Sequence, residues 1–312
     1  MSTSTSKIMK LAVIGAVVLA VVLSGCRGPS GGPGPTASSR SAAPSTGPTA
    51  SSGSAAPSTG PTYRATATVP VGKDPLGVAV DPVTHTVYVT NDDNTVSVID
   101  GSTRTVSATV PVALYPGGVA LDPGTNTVYV TNLVDNTLSV IDGSTRTVTA
   151  TVPVGRSPWG VAVDPGTHTV YVTNRWGGTV SVIDGSTRTV TATVPVGING
   201  PWGVAVDPGT HTVYVANNGD NTVSVTDGST RTVTATVPVG KGPRGVAVDP
   251  VTHTVYVTND DNTVWVIDGS TRTVTVTVPV GKSPVGVAVD PGTHTVYVTN
   301  EDDNTVSVIE SR

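Results

Sequence analysis

The sequence predicts an all-β chain, a six-bladed β-propeller built from four-stranded antiparallel blades. Val and Thr, which favour strands, dominate the chain from residue 63 onward. One unit recurs there, and its tyrosines are spaced 41, 42, 43, 42 and 41 residues apart, at Tyr88, Tyr129, Tyr171, Tyr214, Tyr256 and Tyr297. A repeat of about 40–45 residues with four strand-like pieces is typical of a propeller blade.

The composition excludes several classes of protein. The 312 residues include a single cysteine, which excludes a disulfide framework, a cysteine-based zinc cluster and a CxxC redox centre. Charged residues make up 12% of the chain and the formal net charge is −5, so the composition gives no reason to expect nucleic-acid binding. We expect no cofactor and no metal ion, and we expect the protein to be a monomer.

Residues 1–25 predict a lipoprotein signal peptide. Lys7 and Lys10 precede an apolar run of 13 residues, Leu11 to Leu23, which is too short to span a membrane as a helix. The run ends in LSGC, which resembles the lipobox of bacterial lipoproteins. The resemblance implies cleavage before Cys26 and a lipid on its sulfur, which would anchor the protein to the outer face of the bacterial cell membrane. The alternative is an ordinary secretory signal.

Residues 26–62 form a predicted stem that begins with the lipid-bearing Cys26. The stem contains almost nothing but Gly, Pro, Ser, Thr and Ala, and residues 36–48 recur nearly unchanged as residues 49–61. A segment of this composition cannot bury enough apolar surface to offset the entropy of ordering it. We therefore expect a disordered tether.

Residues 63–312 form the predicted propeller. Each unit contains the segments GVAV, TVYVTN, TVSVID and RTVTATVPV, which we predict as strands a, b, c and d, separated by turn sequences rich in Gly, Pro, Asp and Asn. The units resemble the YVTN β-propeller repeat family through Tyr88–Asn91 and four further copies of that motif, whereas the fourth unit has Ala216 in place of Thr. The resemblance implies a propeller fold and a surface or secreted location, but no single activity.

The count of strands predicts how the ring closes. Six a–b–c sets are present, but the sixth set ends at residue 312 without a strand d. A further d-like segment, residues 65–71, precedes the first strand a. We therefore expect this N-terminal strand to pair into the last blade, which would leave no exposed sheet edge.

The six units differ from one another mainly on one side of the predicted ring. The a–b and c–d turns are almost identical, and we call their side the uniform face. Every change of length lies in the b–c and d–a turns, and we call their side the variable face. Because ligand sites are commonly lined by loops of this kind, we expect a ligand to bind the variable face. The alternative is that these loops are simply unconstrained.

The aromatic and basic residues of the variable face are the candidate binding residues. Trp159 and Trp202 occupy equivalent positions in adjacent units, so we expect them side by side at the mouth of the central channel, flanked by Arg156 and Arg244. Because strand a is innermost, we expect a mildly basic mouth made by d–a residues and an acidic rim made by b–c residues. The full set is Trp159, Trp202, Trp176, Arg156, Arg175, Arg244, Tyr115, Lys73, Lys241 and Lys282.

Residues that recur in nearly every unit predict structural roles. Five histidines share one a–b turn position, which Asn126 fills in the remaining unit, so a turn-stabilising role is favoured over metal binding; they are His85, His168, His211, His253 and His294. The acidic b–c turns offer oxygen atoms of the kind that calcium binds, but we interpret them as solvated hairpin tips. Trp265, in a strand c, is expected to fill a gap in the packing.

These observations favour a non-catalytic binding or interaction module on the cell surface. No GxSxG, HExxH, P-loop or dinucleotide motif is present, and no set of Ser, His and acidic residues breaks the symmetry of the repeat. The expected partner at the mouth is a cell-wall glycan, a protein or a small metabolite. Two alternatives stay open: a propeller enzyme of the lyase or lactonase type, and single-stranded nucleic-acid binding through Trp and Arg, which the net charge disfavours.

Overall fold

The computed structural model describes residues 68–198 and 200–310; the predicted signal peptide, the stem and residues 63–67 lie outside this part of the chain. All regular structure in the described part consists of antiparallel β-strands. It includes no helix that is long and apolar enough to cross a membrane. Within each sheet, every strand pairs with its neighbours in the sequence.

The sheets are six blades, as the sequence predicts. The first three are four-stranded and run in the order a, b, c, d. Blade 1 contains β1 (Pro75–Val80), β2 (Thr86–Asn91), β3 (Thr95–Asp100) and β4 (Thr105–Pro111). Blade 2 contains β5 (Pro116–Asp122), β6 (Thr127–Asn132), β7 (Thr137–Asp142) and β8 (Thr147–Pro153). Blade 3 contains β9 (Pro158–Asp164), β10 (Thr169–Asn174), β11 (Thr179–Asp184) and β12 (Thr189–Pro195).

The remaining blades repeat this arrangement, except that blade 6 has three strands within the described residues. Blade 4 contains β13 (Pro201–Asp207), β14 (Thr212–Asn217), β15 (Thr222–Asp227) and β16 (Thr232–Pro238). Blade 5 contains β17 (Pro243–Asp249), β18 (Thr254–Asn259), β19 (Thr263–Asp268) and β20 (Thr273–Pro279). Blade 6 contains β21 (Pro284–Asp290), β22 (Thr295–Asn300) and β23 (Thr305–Ile309).

The sequence of each strand follows from its place in the blade. Strands b and c lie in the middle of the four-stranded sheets and pack on both faces, so they are buried almost throughout, as in β10 and β11. A strand buried on both faces has a nearly continuous apolar sequence. Strand d is outermost, and most side chains of β12 are exposed. The a strands of successive blades pack against one another from β1 to β21, which makes them the inner strands.

The hydrophobic cores lie between neighbouring blades. In the first core, Tyr88 and Val98 of blade 1 pack with Val119 and Val128 of blade 2. Four further cores join blades 2 and 3, 3 and 4, 4 and 5, and 5 and 6. Each buried Val contributes about 1.5–3 kcal/mol relative to an exposed one, so the stability of each blade depends mainly on its neighbours.

Polar contacts on the uniform face also join the blades. His168 Nδ1 lies 2.6 Å from Oδ2 of the buried Asp122 in the preceding blade. The same contact recurs in the next three blades through His211, His253 and His294. In blade 2, Asn126 holds the histidine position, and Asp81 instead accepts a hydrogen bond from Thr84 Oγ1 at 2.7 Å. The histidines therefore join neighbouring blades as well as shaping their own turns.

The c–d turns depend on their aspartates. Asp227 Oδ1 accepts hydrogen bonds from the Ser229 N–H at 2.9 Å, the Ser229 hydroxyl at 2.6 Å and the Thr230 N–H at 2.8 Å. The next residue, Gly228, must be a glycine because a Cβ there would lie 2.5 Å from the His211 carbonyl oxygen. The arginine of the turn does not pair with this aspartate: Arg231 donates to the Thr191 carbonyl of the preceding blade at 3.3 Å.

Acid is expected to destabilise the propeller through these turns. The hydrogen bond from the Ser229 hydroxyl, followed by that from the Thr230 N–H, lowers the pKa of Asp227 from 3.8 to about 2. Because this pKa is lower in the folded state, the contribution of the turn to stability is fully present above about pH 4 and is lost as the pH falls through about 2. Melting temperatures measured across this range should therefore fall steeply on the acid side.

The matched variant for this measurement is Asp227→Asn, which keeps an oxygen acceptor without a titratable charge. Its melting temperature should decline less between about pH 4 and pH 2 than that of the unmodified chain. Parallel curves for the two proteins would contradict the assigned role of Asp227.

The last blade exposes a face that the other blades bury. Tyr297, Val306 and Val308 are 42%, 55% and 55% exposed, whereas their equivalents in blade 1 are buried. A cavity of about 340 Å³ lies beside β23 and is lined by Val285, Thr299, Asn300, Glu301, Asn304, Thr305 and Val306. No hydrophobic core joins blade 6 to blade 1 among the described residues.

The predicted closing strand, residues 65–71, lies partly outside the described residues. Residues 68–71 are described and precede β1 without forming a strand. Closure of the ring by the N-terminal segment therefore stays a prediction.

Candidate functional site

Two positions of each blade lie together on the variable face. One is the second residue of strand a, and the other is the first residue after strand b; we call them the mouth positions. The strand-a set is Leu76, Gly117, Trp159, Trp202, Arg244 and Val285. The set that follows strand b is Asp92, Leu133, Arg175, Asn218, Asp260 and Glu301. Blades 3, 4 and 5 therefore contribute two tryptophans and two arginines.

The turn that leads into strand a fixes the backbone at the mouth. Ser157, just before the proline that begins β9, has a positive φ of 57°, and its N–H donates to Asn136 Oδ1 of the preceding blade at 2.8 Å. Its carbonyl accepts from the Arg175 N–H at 3.0 Å. Threonine hydroxyls of the preceding blades hold the tryptophan carbonyls: Thr131 donates to Trp159 at 2.8 Å and Thr173 to Trp202 at 2.7 Å.

The two tryptophans lie side by side, as their equivalent positions predict. Their ring centroids are 5.5 Å apart and the ring planes meet at 54°. Trp159 is 4% and Trp202 is 6% exposed, so neither ring offers a free face to a ligand. The Trp159 Nε1 atom is buried without a hydrogen-bond acceptor among the described residues.

Arg175, and not Arg156 as predicted from the sequence, lies beside the two tryptophan rings. The Arg175 Cζ atom lies 4.3 Å from the Trp202 ring centroid and 5.5 Å from that of Trp159. Burial, and then the positive charge of Arg244, lowers the pKa of Arg175 below its usual value. Arg156 is exposed and makes no described ring contact. The side chain that follows strand b therefore completes the cluster.

Arginine 244 extends this cluster and carries its own counter-charges. Its Cζ atom lies 5.6 Å from the Trp202 ring centroid. Its Nε atom contacts Asp260 Oδ1, and Nη1 lies 3.7 Å from Glu301 Oε2. Burial raises the pKa of Glu301, and the positive charge of Arg244 opposes this effect. These two acids reach the mouth, so the predicted separation of a basic mouth from an acidic rim is wrong at this point.

Four large apolar side chains project into solvent from the turns of the same face. Trp176 is 72% and Ile198 is 87% exposed, and Leu114 and Val134 are also exposed. Leu114 and Val134 lie together in blade 2, because the Val134 N–H donates to the Leu114 carbonyl at 3.4 Å. We call Leu114, Val134, Trp176 and Ile198 the apolar crescent; it belongs to blades 2, 3 and 4.

Of these four residues, only Trp176 was predicted from the sequence as a binding residue. A comparison of the d–a turns could have identified Leu114 and Ile198. They occupy one repeat position, which the other four units fill with Lys73, Arg156, Lys241 and Lys282. At this position blades 2 and 4 carry aliphatic residues, whereas the other blades carry basic ones. An aliphatic residue is less common than a basic one on an exposed turn, so this difference indicates which half of the variable face, that of blades 2 to 4, is apolar.

The three candidate lysines, Lys73, Lys241 and Lys282, are exposed on the opposite half of the variable face. Their backbone N–H groups donate to aspartates of the b–c turns at 2.7–3.3 Å, and the Lys73 ammonium also lies 3.9 Å from Asp74 Oδ2. Tyr115 is partly buried; burial, followed by the negative charge of Asp92, raises its pKa.

Most of the b–c aspartates hold the turns together. Asp135 accepts from the Leu114 N–H at 2.7 Å, and Asp220 accepts from the Ile198 N–H at 2.8 Å. Within residues 68–198 and 200–310, no group of three or more His, Cys, Asp or Glu side chains is arranged to hold a metal ion. The aspartates of the b–c turns therefore have a structural role, because they hold the b–c turns against the d–a turns.

Tryptophan 265 lies away from this cluster, in strand β19 of blade 5. It is partly buried and packs against the core between blades 4 and 5. This position fits the gap-filling role that the sequence predicts for it.

The inner strands, the blades and the repeated inter-blade contacts define a repeat β-propeller protein. A family model described as "YNCE-like beta-propeller" matches residues 119–264. This match and the six blades fit a YVTN-type β-propeller repeat protein, as the repeated motif predicts.

Two further similarities concern a solved structure and a curated protein. The fold resembles a solved chain of Kuenenia stuttgartiensis hydrazine synthase with a TM-score of 0.55, over 76% of this chain and 95% of that chain. At 18% identity, this likeness concerns the fold alone. A stretch of 34 residues is 71% identical to the PE-PGRS family protein PE_PGRS18 of Mycobacterium tuberculosis (strain ATCC 25618 / H37Rv), and it covers 11% of this chain and 7% of that protein.

Proposed function

We propose that this protein is a non-catalytic binding module that uses the variable face, held at the outer face of the bacterial cell membrane by a lipid on Cys26. The observation that carries the binding role is the apolar crescent. Four large apolar side chains are exposed on the face that also holds the Trp–Arg cluster. The partner is a cell-wall glycan, a protein or a small metabolite.

The physical argument is the cost of exposed apolar surface. Exposed apolar surface that gathers on one face commonly marks an interaction site, and the four crescent residues belong to three successive blades of the variable face. Tryptophan and arginine are also among the side chains that most often dominate binding energy. On the uniform face, the exposed large apolar residues among the described turns are Val83 and Val251, in blades 1 and 5, which are not adjacent.

Binding is expected to require the crescent. An array of cell-wall glycans, peptides and metabolites, incubated with the full-length protein in detergent, should yield a ligand that Trp176→Ala weakens about tenfold or more. The reason is that Trp176 has its ring free, and truncation of an aromatic anchor commonly costs about 2 kcal/mol.

The control for this experiment is His168→Ala on the uniform face, which should leave affinity within about twofold. Loss of binding in His168→Ala with no change in Trp176→Ala would place the site on the opposite face. An array that yields no ligand sensitive to Trp176 would count against the proposed function.

The membrane anchor is expected to depend on Cys26. This residue is the sole cysteine and follows Leu23, Ser24 and Gly25. Cys26→Ala should release the protein from the membrane fraction or block its processing, because two or three acyl chains are needed for stable anchoring. Fractionation and mass spectrometry test this expectation. A Cys26→Ala variant that stays in the membrane at the normal processed mass would contradict the anchor, whereas Ser24→Ala should be processed normally.

A further inference from the structure

The two arginines of the mouth differ in how their charge is balanced. Arg244 contacts Asp260 and lies 3.7 Å from Glu301. The described ion pairs include no acidic partner for Arg175, whose guanidinium lies against the two tryptophan rings instead. A cation–π contact balances part of the cost of burying a cation, but it leaves the guanidinium donors available. Arg175 therefore has neither an acidic partner nor a hydrogen-bond acceptor for its guanidinium among the described contacts.

A second observation points to the same place. Trp159 is more than nine-tenths buried, and its Nε1–H has no acceptor among the described residues. A buried donor without an acceptor destabilises the folded state, because it has lost its hydrogen bond to water. The Trp159 ring is one of the two that Arg175 contacts. The cluster therefore contains the Trp159 Nε1–H and the Arg175 guanidinium without a described acceptor, whereas Nε and Nη1 of Arg244, which also lack a described hydrogen bond, lie against carboxylates.

We propose that Arg175 is the anchor of an anion subsite, which receives the carboxylate of an apolar ligand whose remaining surface covers the apolar crescent. This proposal rests on the proposed binding function of the variable face and names the chemistry of its ligand. Arg175 follows β10, and Trp176, the crescent residue of blade 3, follows it directly. One ligand can therefore contact both features.

The acidic residues of this half of the face do not compete for Arg175. Asp135 and Asp220 accept hydrogen bonds from the backbone of Leu114 and Ile198. These contacts hold the two carboxylates beside the crescent turns of blades 2 and 4. Arg175 lies in blade 3 between them, where the b–c turn has Gly177 and Gly178 in place of an acidic residue.

The charges of the cluster favour a single carboxylate over a phosphate. The two cations, Arg175 and Arg244, and the two carboxylates, Asp260 and Glu301, make the cluster neutral overall, but both carboxylates lie against Arg244 and neither pairs with Arg175. A monoanion at Arg175 disturbs this neutral cluster less than a phosphate dianion would. A planar carboxylate also matches the fork of a guanidinium, which binds it through two parallel hydrogen bonds.

The experiment compares small probes that differ only in charge. The probes are N-acetyl-Leu-Leu with a free C-terminal carboxylate, its C-terminal amide, and N-acetyl-Leu-Glu amide, which carries its carboxylate on a side chain. Each is titrated into the full-length protein in detergent, and binding is followed by saturation-transfer NMR. We expect the carboxylate probes to bind more tightly than the amide by about tenfold, because hydrogen bonds to a charged group contribute about 1.5–3 kcal/mol.

Variants assign this preference to one side chain. Arg175→Gln should remove the preference, so that the carboxylate and amide probes bind with similar strength, and Arg175→Lys should retain part of the preference. Arg156→Gln, a matched exposed arginine of the same blade, should keep the preference within about twofold. The two carboxylate probes distinguish a chain terminus from an acidic side chain as the source of the anion.

Four results would overturn the proposal. They are equal binding of carboxylate and amide, a carboxylate preference that survives in both Arg175 variants, a preference lost in Arg156→Gln, and no binding of any probe. If the amide binds with equal strength and Trp176→Ala weakens it, the binding function stands and the anion subsite fails. If no probe binds, the anion subsite fails, and the ligand array decides the proposed function separately. The melting temperature of Arg175→Lys shows whether loss of binding reflects loss of folding.

Discussion

Deletion of residues 63–71 is expected to abolish the single cooperative melting transition of the propeller. This segment repeats the sequence of a strand d, and blade 6 has no strand d among the described residues. Without it, Val306 and Val308 stay more than half exposed. Burial of two valines contributes about 3–6 kcal/mol, which is a large share of the 5–15 kcal/mol that typically stabilises a domain.

Calorimetry and light scattering together measure this effect. The deletion variant should show a broad, early transition and an increased apparent mass, because an exposed sheet edge pairs with other chains. Deletion of residues 27–35, which removes the same length from the stem, should leave the transition in place. A 63–71 deletion that melts at the normal temperature would show that the segment does not complete the last blade.

Trp202→Ala is expected to cost about 3–5 kcal/mol of the free energy of unfolding. The ring is 6% exposed and contacts Trp159, Arg175 and Arg244. Its removal leaves a cavity and takes away the closest aromatic partner of Arg175. Urea denaturation followed by circular dichroism measures the loss. Affinity for a ligand of the variable face should fall about thirtyfold as well, because Arg175 loses its support.

Two variants make this measurement specific. Trp202→Val introduces the residue that blade 6 has at the same position, Val285, and should recover part of the stability. Trp176→Ala removes a ring that is 72% exposed and should change stability by no more than about 0.5 kcal/mol. Equal stability losses in Trp202→Ala and Trp176→Ala would mean that the buried pair contributes little to the fold.

The repeat made the fold predictable. Six copies of one unit give the strands, their order and the number of blades, and equivalent positions place Trp159 beside Trp202. The site was harder to predict because it is built from the residues that do not repeat. Whether Arg156 or Arg175 reaches the rings depends on side-chain direction at the ends of strands. This side-chain direction depends on packing against the neighbouring blade, so the sequence of the turn alone does not predict it.

Burial at the mouth was also beyond prediction from the sequence. Trp159 and Trp202 were expected at the channel mouth as binding residues, but both are buried, and Arg175 lies against their rings. The inward reach of Asp260 and Glu301 has the same cause. The first residue after strand b lies beside an inner strand: Asp260 contacts Arg244 of its own blade, and Glu301 lies 3.7 Å from the same arginine, which belongs to the preceding blade. These residues therefore join the mouth rather than the rim, and a comparison of repeat units does not reveal such contacts.

The inter-blade contacts have a direction, and this direction governs how open rings would associate. Threonines such as Thr131 bond the following blade, and histidines such as His168 bond the preceding one. The leading side of blade 1 and the trailing side of blade 6 are therefore different and mutually complementary. Contact between two open rings would be heterologous, joining the head of one copy to the tail of the next, and such contacts grow into filaments rather than closed dimers. If residues 65–71 complete the last blade as predicted, they would compete against this growth through their high effective concentration, and covalent continuity would then protect the propeller from polymerisation.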